Sequence, residues 1–348
     1  MFRPNTVFII GAGASAEAGL PLGSILATKV SNALRFEPEG IRDALGSGNP
    51  EIYQTILNYV GPNKAREVFK KCREMSFSLA HADSIDACLN DFRTDEDLMY
   101  CGKIAIAYEI AKAEKTSTLS VNNDNIYNTI NWPASGGHWY SKFFRILKDG
   151  IDSDNVENIF DNVEIICFNY DRCIEQYLFY ALRDYYRISP QRTIELLRKL
   201  TIIHPYGVID GFQANIHTGH SNFGQDLTGV GLGERARTIK TIFEAKTDAH
   251  RVADIQDSVA RSEQLIFLGF GFHKLNMDLL KKAVGAIAGR ACYATGYKLP
   301  SPGLPVIKDR IHSIFGIELS TSRSLNPINL QNFTCRQLLD EYDLLLAS

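Results

Sequence analysis

Thr6-Val7-Phe8-Ile9-Ile10 runs straight into Gly11-Ala12-Gly13-Ala14-Ser15-Ala16-Glu17-Ala18-Gly19-Leu20-Pro21. The first five residues form a largely apolar run rich in β-branched and aromatic residues, the pattern of a strand buried on both faces of a parallel sheet. The glycines follow with no polar spacer. A turn this tight needs a positive φ or a close backbone approach, and Gly allows both. Small residues continue through Ala18, as in a helix whose first turn faces something bulky. Backbone N–H groups at a helix start bind phosphate, aided by the helix dipole. Gly11 to Ser15 is therefore a candidate pyrophosphate cradle. The same residues also suit a turn that only packs a helix on a sheet. A dehydrogenase fingerprint would add an acidic residue at a second strand end about 20 residues on. Here Leu22 to Phe36 reads as helix, and no such carboxylate follows.

Outward from that stretch, four further buried strands are expected at Val163–Phe168, Leu200–Ile203, Gln264–Leu268 and Ala291–Thr295, with a sixth at Phe315–Leu319. Between them lie runs with helical spacing of apolar residues, such as Trp139–Lys148, Ile174–Leu182 and Arg235–Arg261, and an amphipathic tail from Thr334 to Leu346. Val208 to Gly233 reads as loop. Residues 35–139 carry only helical signals, among them Pro50–Val60, Lys64–Ser78, a segment opened by the N-cap residue Ser84, and Gly102–Lys115. Alternating strands and helices predict an α/β fold: a Rossmann-like open parallel sheet with helices on both faces. The expected organisation is a sheet domain from residues 1–34 and 140–348, interrupted by a helical insertion subdomain, 35–139, without a sheet of its own.

The chain of 348 residues is 45% hydrophobic and 22% charged, the profile of a soluble globular protein. A formal net charge of −3 argues against nonspecific nucleic-acid binding. No apolar run approaches membrane-span length, and no signal-peptide pattern precedes the first strand, so a cytoplasmic location is expected. The seven cysteines are scattered singly, with no C-x-x-C pair to suggest a zinc ribbon. His138, His217 and His220 have no further ligand at fixed spacing. They read as loop residues, and no metal is expected.

Ligands in open parallel sheets bind at the carboxyl ends of the strands. Four polar or Gly-rich tips fall there: Gly11–Ser15, Asn169-Tyr170-Asp171, His204-Pro205-Tyr206-Gly207 and Gly269-Phe270-Gly271-Phe272. Taken in order, these tips resemble the Sir2-like family, and Ser84-Ile85-Asp86 resembles a motif in the helical region of its bacterial members. The protein deacylases of that family carry a four-cysteine zinc module and an acidic-Phe-Arg triplet. This chain has neither, with Leu22-Gly23-Ser24 where the triplet would stand. It is more similar to the bacterial Sir2-domain NAD hydrolases of antiphage defence.

That resemblance implies NAD+ as substrate, cleaved to nicotinamide and ADP-ribose, with Asn169 and His204 as the catalytic pair. An amide can orient water or a ribose hydroxyl, and a neutral imidazole can accept a proton. It further implies dinucleotide contacts from Gly11, Ala12, Gly13, Ala14, Ser15, Gly19, Pro21, Asp171, Gly269, Phe270 and Gly271. The implied partners are further copies of the chain in a homo-oligomer, or a separately encoded defence protein such as an ATPase or nucleotide-handling protein. Neither nucleic acid nor membrane is an expected partner. Two alternatives stay open: a module that senses NAD or ADP-ribose without cleaving it, and an NAD-dependent deacylase. Taken singly, Asn169 and Asp171 also read as helix caps, and His204 as a histidine beside a turn.

Overall fold

The computed structural model describes residues 1–39, 44–82, 84–121, 129–215, 220–281, 290–315 and 327–347. Its centre is a six-stranded, all-parallel sheet built from β1 (Thr6–Ile10), β2 (Val163–Cys167), β3 (Thr201–Ile203), β4 (Gln264–Leu268), β5 (Ala291–Thr295) and β6 (Ile328–Gln331). The strand order is β6-β5-β4-β1-β2-β3. The chain builds outward from β1 to one edge, then returns to the other side of β1. This is the doubly wound Rossmann order, and it reverses between β1 and β4.

β1 is central because it is apolar on both faces. All five of its residues are buried. Val7 and Ile9 face one core, shared with Ile166, Leu265 and Phe267. Phe8 and Ile10 face the other, shared with Ile165, Ile266 and Leu268. The period-2 alternation of a strand thus feeds two separate layers. Parallel pairing aligns Ile10 with both Cys167 and Leu268, so three strands end level.

The first core continues into the helices Gly23–Leu34, Pro50–Val60, Pro62–Leu79, Ile85–Asp91 and Glu96–Thr116. Most of the 35–139 stretch is therefore a helical layer sharing the core of one sheet face. It also holds a two-stranded antiparallel ribbon, Glu37–Glu39 with Ala44–Ser47, which helical periodicity does not announce. The second core is closed by Trp139–Leu147, Cys173–Tyr186 and Cys335–Glu341.

Several boundaries differ from expectation. Gly229–Thr238 is helix, although three glycines in its first five residues read as loop. Of those glycines, Gly233 lies close to Glu96–Thr116: a Cβ there would meet the Tyr100 hydroxyl at 2.9 Å, and that hydroxyl donates to the Gly233 carbonyl at 2.7 Å. The Arg235–Arg261 stretch is three helices, divided by a capping box at Thr241/Glu244 and by the Asp248 cap. The tail breaks at Tyr342 into Cys335–Glu341 and Asp343–Leu346. Of the strand expected at Phe315–Leu319, Phe315 ends the helix Leu304–Ile314, and residues 316–319 lie outside the described ones, as does His217. No helix among the described residues is long and apolar enough to cross a membrane.

Candidate functional site

The level ends of β1, β2 and β4 place the glycine turn, Asn169-Tyr170-Asp171 and Gly269-Phe270-Gly271 side by side. They form the floor of a cavity of about 710 Å³, within the range of small-molecule and cofactor sites. Its walls come from Pro21–Gly23, Ser84–Ala87, Tyr206, His273–Asn276, Thr295 and Tyr297–Leu299. The cavity lies at the reversal of strand order, where doubly wound sheets bind ligands.

At β1 and β4 the glycines serve close approach. Gly11 N donates to Leu268 O at 3.0 Å, Gly13 N to Gly269 O at 2.9 Å, and Ala14 N to Gly11 O at 2.9 Å. A Cβ on Gly11 would lie 2.6 Å from Gly269 O, and one on Gly269 would lie 2.0 Å from Ala14 N. Gly269 also has φ +58°, a left-handed conformation that favours Gly. The two tips are therefore sewn together backbone to backbone.

Asn169 is 6% exposed and lines the cavity. Its Nδ2 donates to Gly11 O at 3.1 Å and to Ser15 Oγ at 2.8 Å. A carbonyl oxygen can only accept, so this contact orients the amide. With both N–H groups directed at the β1 turn, Oδ1 is left as the acceptor for a ligand. Ser15 Oγ passes its own proton to Asp171 Oδ1 at 3.0 Å, and that oxygen also accepts from Cys173 N at 3.1 Å. Asp171 thus lines the cavity and also caps the helix Cys173–Tyr186. Burial pushes its carboxyl pKa up, and the bonds from Ser15 and Cys173 pull against that shift.

Nine of the thirteen residues expected at the site line the cavity: Asn169, Asp171, Gly11, Ala12, Gly13, Pro21, Gly269, Phe270 and Gly271. Ala14, Ser15, Gly19 and His204 do not. Ala14 is covered by Trp139, whose indole Nε1 donates to Ala14 O at 3.0 Å. The Ser15 hydroxyl is engaged by Asn169 and Asp171. Gly19, at φ +92°, turns the chain after the short helix Ala12–Ala16. His204 lies behind Asn169. Its Nδ1 is 3.2 Å from the Asn169 main-chain oxygen, and its Nε2 is 3.0 Å from Glu175 Oε1. Burial alone would lower the imidazole pKa. The Cys167 sulfur and Glu175 carboxylate more than offset it, so the pKa lies well above the ordinary histidine value. Both ring nitrogens face oxygens, so His204 bridges the β2 tip to the helix Cys173–Tyr186, and a doubly protonated ring could donate to both.

Other lining residues were not singled out for a role by the sequence. Asp86 accepts from the Tyr170 hydroxyl at 2.5 Å. Burial raises its carboxyl pKa, and Tyr170 and His273 oppose that. The Tyr206 hydroxyl donates to Asn276 Oδ1 at 2.5 Å. The rings of Phe168, Tyr206 and Phe270 meet edge to face at 5.1–5.6 Å, forming an aromatic wall. Glu17 accepts from Trp139 N at 2.8 Å and Arg336 N at 3.1 Å, joining two helix starts at the cavity edge. Asp86 and Tyr206 stood inside quoted motifs. Glu17 had no such signal beyond its place in the glycine stretch. Among the described residues no group of three or more His, Cys, Asp or Glu side chains is arranged to hold a metal ion.

Against known proteins, the chain matches no family model, no curated protein and no solved structure.

Proposed function

We propose that the protein is an NAD+ glycohydrolase, cleaving NAD+ to nicotinamide and ADP-ribose. The observation that carries this reading is the Asn169 amide. Its nitrogen is held by Gly11 O and Ser15 Oγ, and the residue lines a cavity floored by glycine tips at the sheet's switch point. In the reaction the bond between ribose C1′ and the nicotinamide nitrogen breaks. The bonding pair moves to that nitrogen and cancels its positive charge, so the leaving group needs no proton. A water oxygen bonds to C1′ and its proton passes to solvent. The transition state is oxocarbenium-like, as in glycoside hydrolysis, and it is served by an acceptor that fixes the water or a ribose hydroxyl. Asn169 supplies that acceptor, and the aromatic wall excludes bulk water. His204 acts through Asn169, as a brace for the β2 tip.

The wider role belongs to the same proposal: an NAD-depleting effector of bacterial antiviral defence, working in the cytoplasm as a homo-oligomer or with a separately encoded partner. Incubating the purified chain with NAD+ and measuring nicotinamide tests the activity. No release in any oligomeric state, with or without the products of neighbouring genes, would refute it. One observation favours a second reading. With His204 off the cavity lining and bonded behind Asn169, the cavity suits a module that binds NAD or ADP-ribose uncleaved. Tight calorimetric binding without nicotinamide release selects that alternative.

A further inference from the structure

A dinucleotide brings two negative charges on its diphosphate, and the glycine turn is poorly placed to meet them. Of the N–H groups of residues 11–14, those of Gly11, Gly13 and Ala14 already donate to backbone oxygens, which leaves Ala12. The carboxylates lining the cavity, Glu17, Asp86 and Asp171, would repel a diphosphate. The basic side chains lining it are His273, Lys274 and Lys298. His273 and Lys274 follow the β4 tip, and Lys298 follows the β5 tip. These tips are neighbours: Gly269 N donates to Thr295 Oγ1 at 2.8 Å. Lys274 and Lys298 are exposed at the cavity rim and form no ion pair among the described residues. Lys298 is presented by a turn with φ +57°, its main-chain N–H held by Asn332 Oδ1 at 2.9 Å, and its ammonium lies 5.0 Å from the Tyr297 ring centroid.

Resting on the dinucleotide reading of the cavity, we infer that Lys274 and Lys298, assisted by His273, form its diphosphate subsite in place of the glycine-turn amides. The ligand then runs across the floor. Its glycosidic bond lies over Asn169 at β2, and its diphosphate lies over the β4 and β5 tips. Charge-assisted contacts from two ammonium groups would hold it there.

Calorimetric titration of the full chain with ADP-ribose, and separately with adenosine, tests the subsite. The K274Q/K298Q double variant is expected to bind ADP-ribose at least about tenfold more weakly. It should bind adenosine like the wild type, and its NAD+ KM should rise by a similar factor. Wild-type affinity for ADP-ribose should fall with added salt, and that of the double variant much less. If the wild type cleaves NAD+ and the double variant keeps wild-type affinity and KM, the subsite is overturned while the activity stands. If the wild type neither binds ADP-ribose nor cleaves NAD+, both fall together.

Discussion

At the scale of single residues, Asn169 and His204 part company. Both stand at strand ends, which the sequence shows plainly. The direction of their side chains is not written there. Asn169 lines the cavity, and Gly11 O and Ser15 Oγ fix its amide. His204 follows a three-residue strand and turns toward Glu175 on the helix Cys173–Tyr186, 29 residues earlier in the chain, a tertiary contact with no local signal. Asn169→Ala is expected to lower kcat for NAD+ cleavage at least about a hundredfold, the scale for losing one oriented polar group. Nicotinamide release measured beside a thermal melt separates that loss from unfolding. His204→Gln keeps hydrogen-bonding capacity without the charge, so it should retain more activity than His204→Ala. Equal loss in the two variants would instead make the ring a proton acceptor. Because the folded pKa of His204 is raised, its stabilising contribution is complete below the unfolded value of about 6.5. It is lost as pH rises through the folded value. The Tm gap between wild type and His204→Gln should therefore be widest in mildly acidic solution and shrink toward alkaline pH.

At the scale of elements, the glycine turn was legible as a close-approach motif, but its neighbour was not. The sequence leaves the turn free to meet either a phosphate or another backbone, and the structure brings Gly269 against it. Gly269→Ala puts a methyl group 2.0 Å from Ala14 N at a left-handed φ. It should destabilise by more than about 4 kcal/mol, read from urea unfolding. Gly271→Ala meets only the His273 ring, which can swing aside, and should cost about 1 kcal/mol or less. Other elements escaped the sequence for physical reasons. The helix Gly229–Thr238 carries three glycines in its first five residues, so propensity argues against it. β6 is a four-residue edge strand with only Leu330 fully buried, too short for periodicity to register.

At the scale of the whole molecule, the α/β class and the line-up of tips were readable because β1, β2, β4 and β5 are mostly apolar and the tips after β1 to β4 are polar or small. The way distant segments lock together was not. Glu114, on the helix Glu96–Thr116, is fully buried and pairs with Arg172 beside the β2 tip through Nε at 3.1 Å and Nη2 at 2.5 Å. The same carboxylate accepts from Gly224 N at 3.1 Å. One ion pair thereby ties the helical layer, the β2 tip and the backbone at Gly224 together. Arg172→Met alone should cost about 3–5 kcal/mol, because it strands a buried charge. Adding Glu114→Gln should recover part of that loss, a non-additivity that a double-mutant cycle on unfolding free energies measures. The seam between the β1 and β4 tips carries one last consequence. Its amides are latched before any ligand arrives, so Gly11 and Gly13 should resist deuterium uptake in the empty protein and gain little on loading. Slowing of exchange on ligand addition should gather at Ala12 and along the lysine-bearing rim.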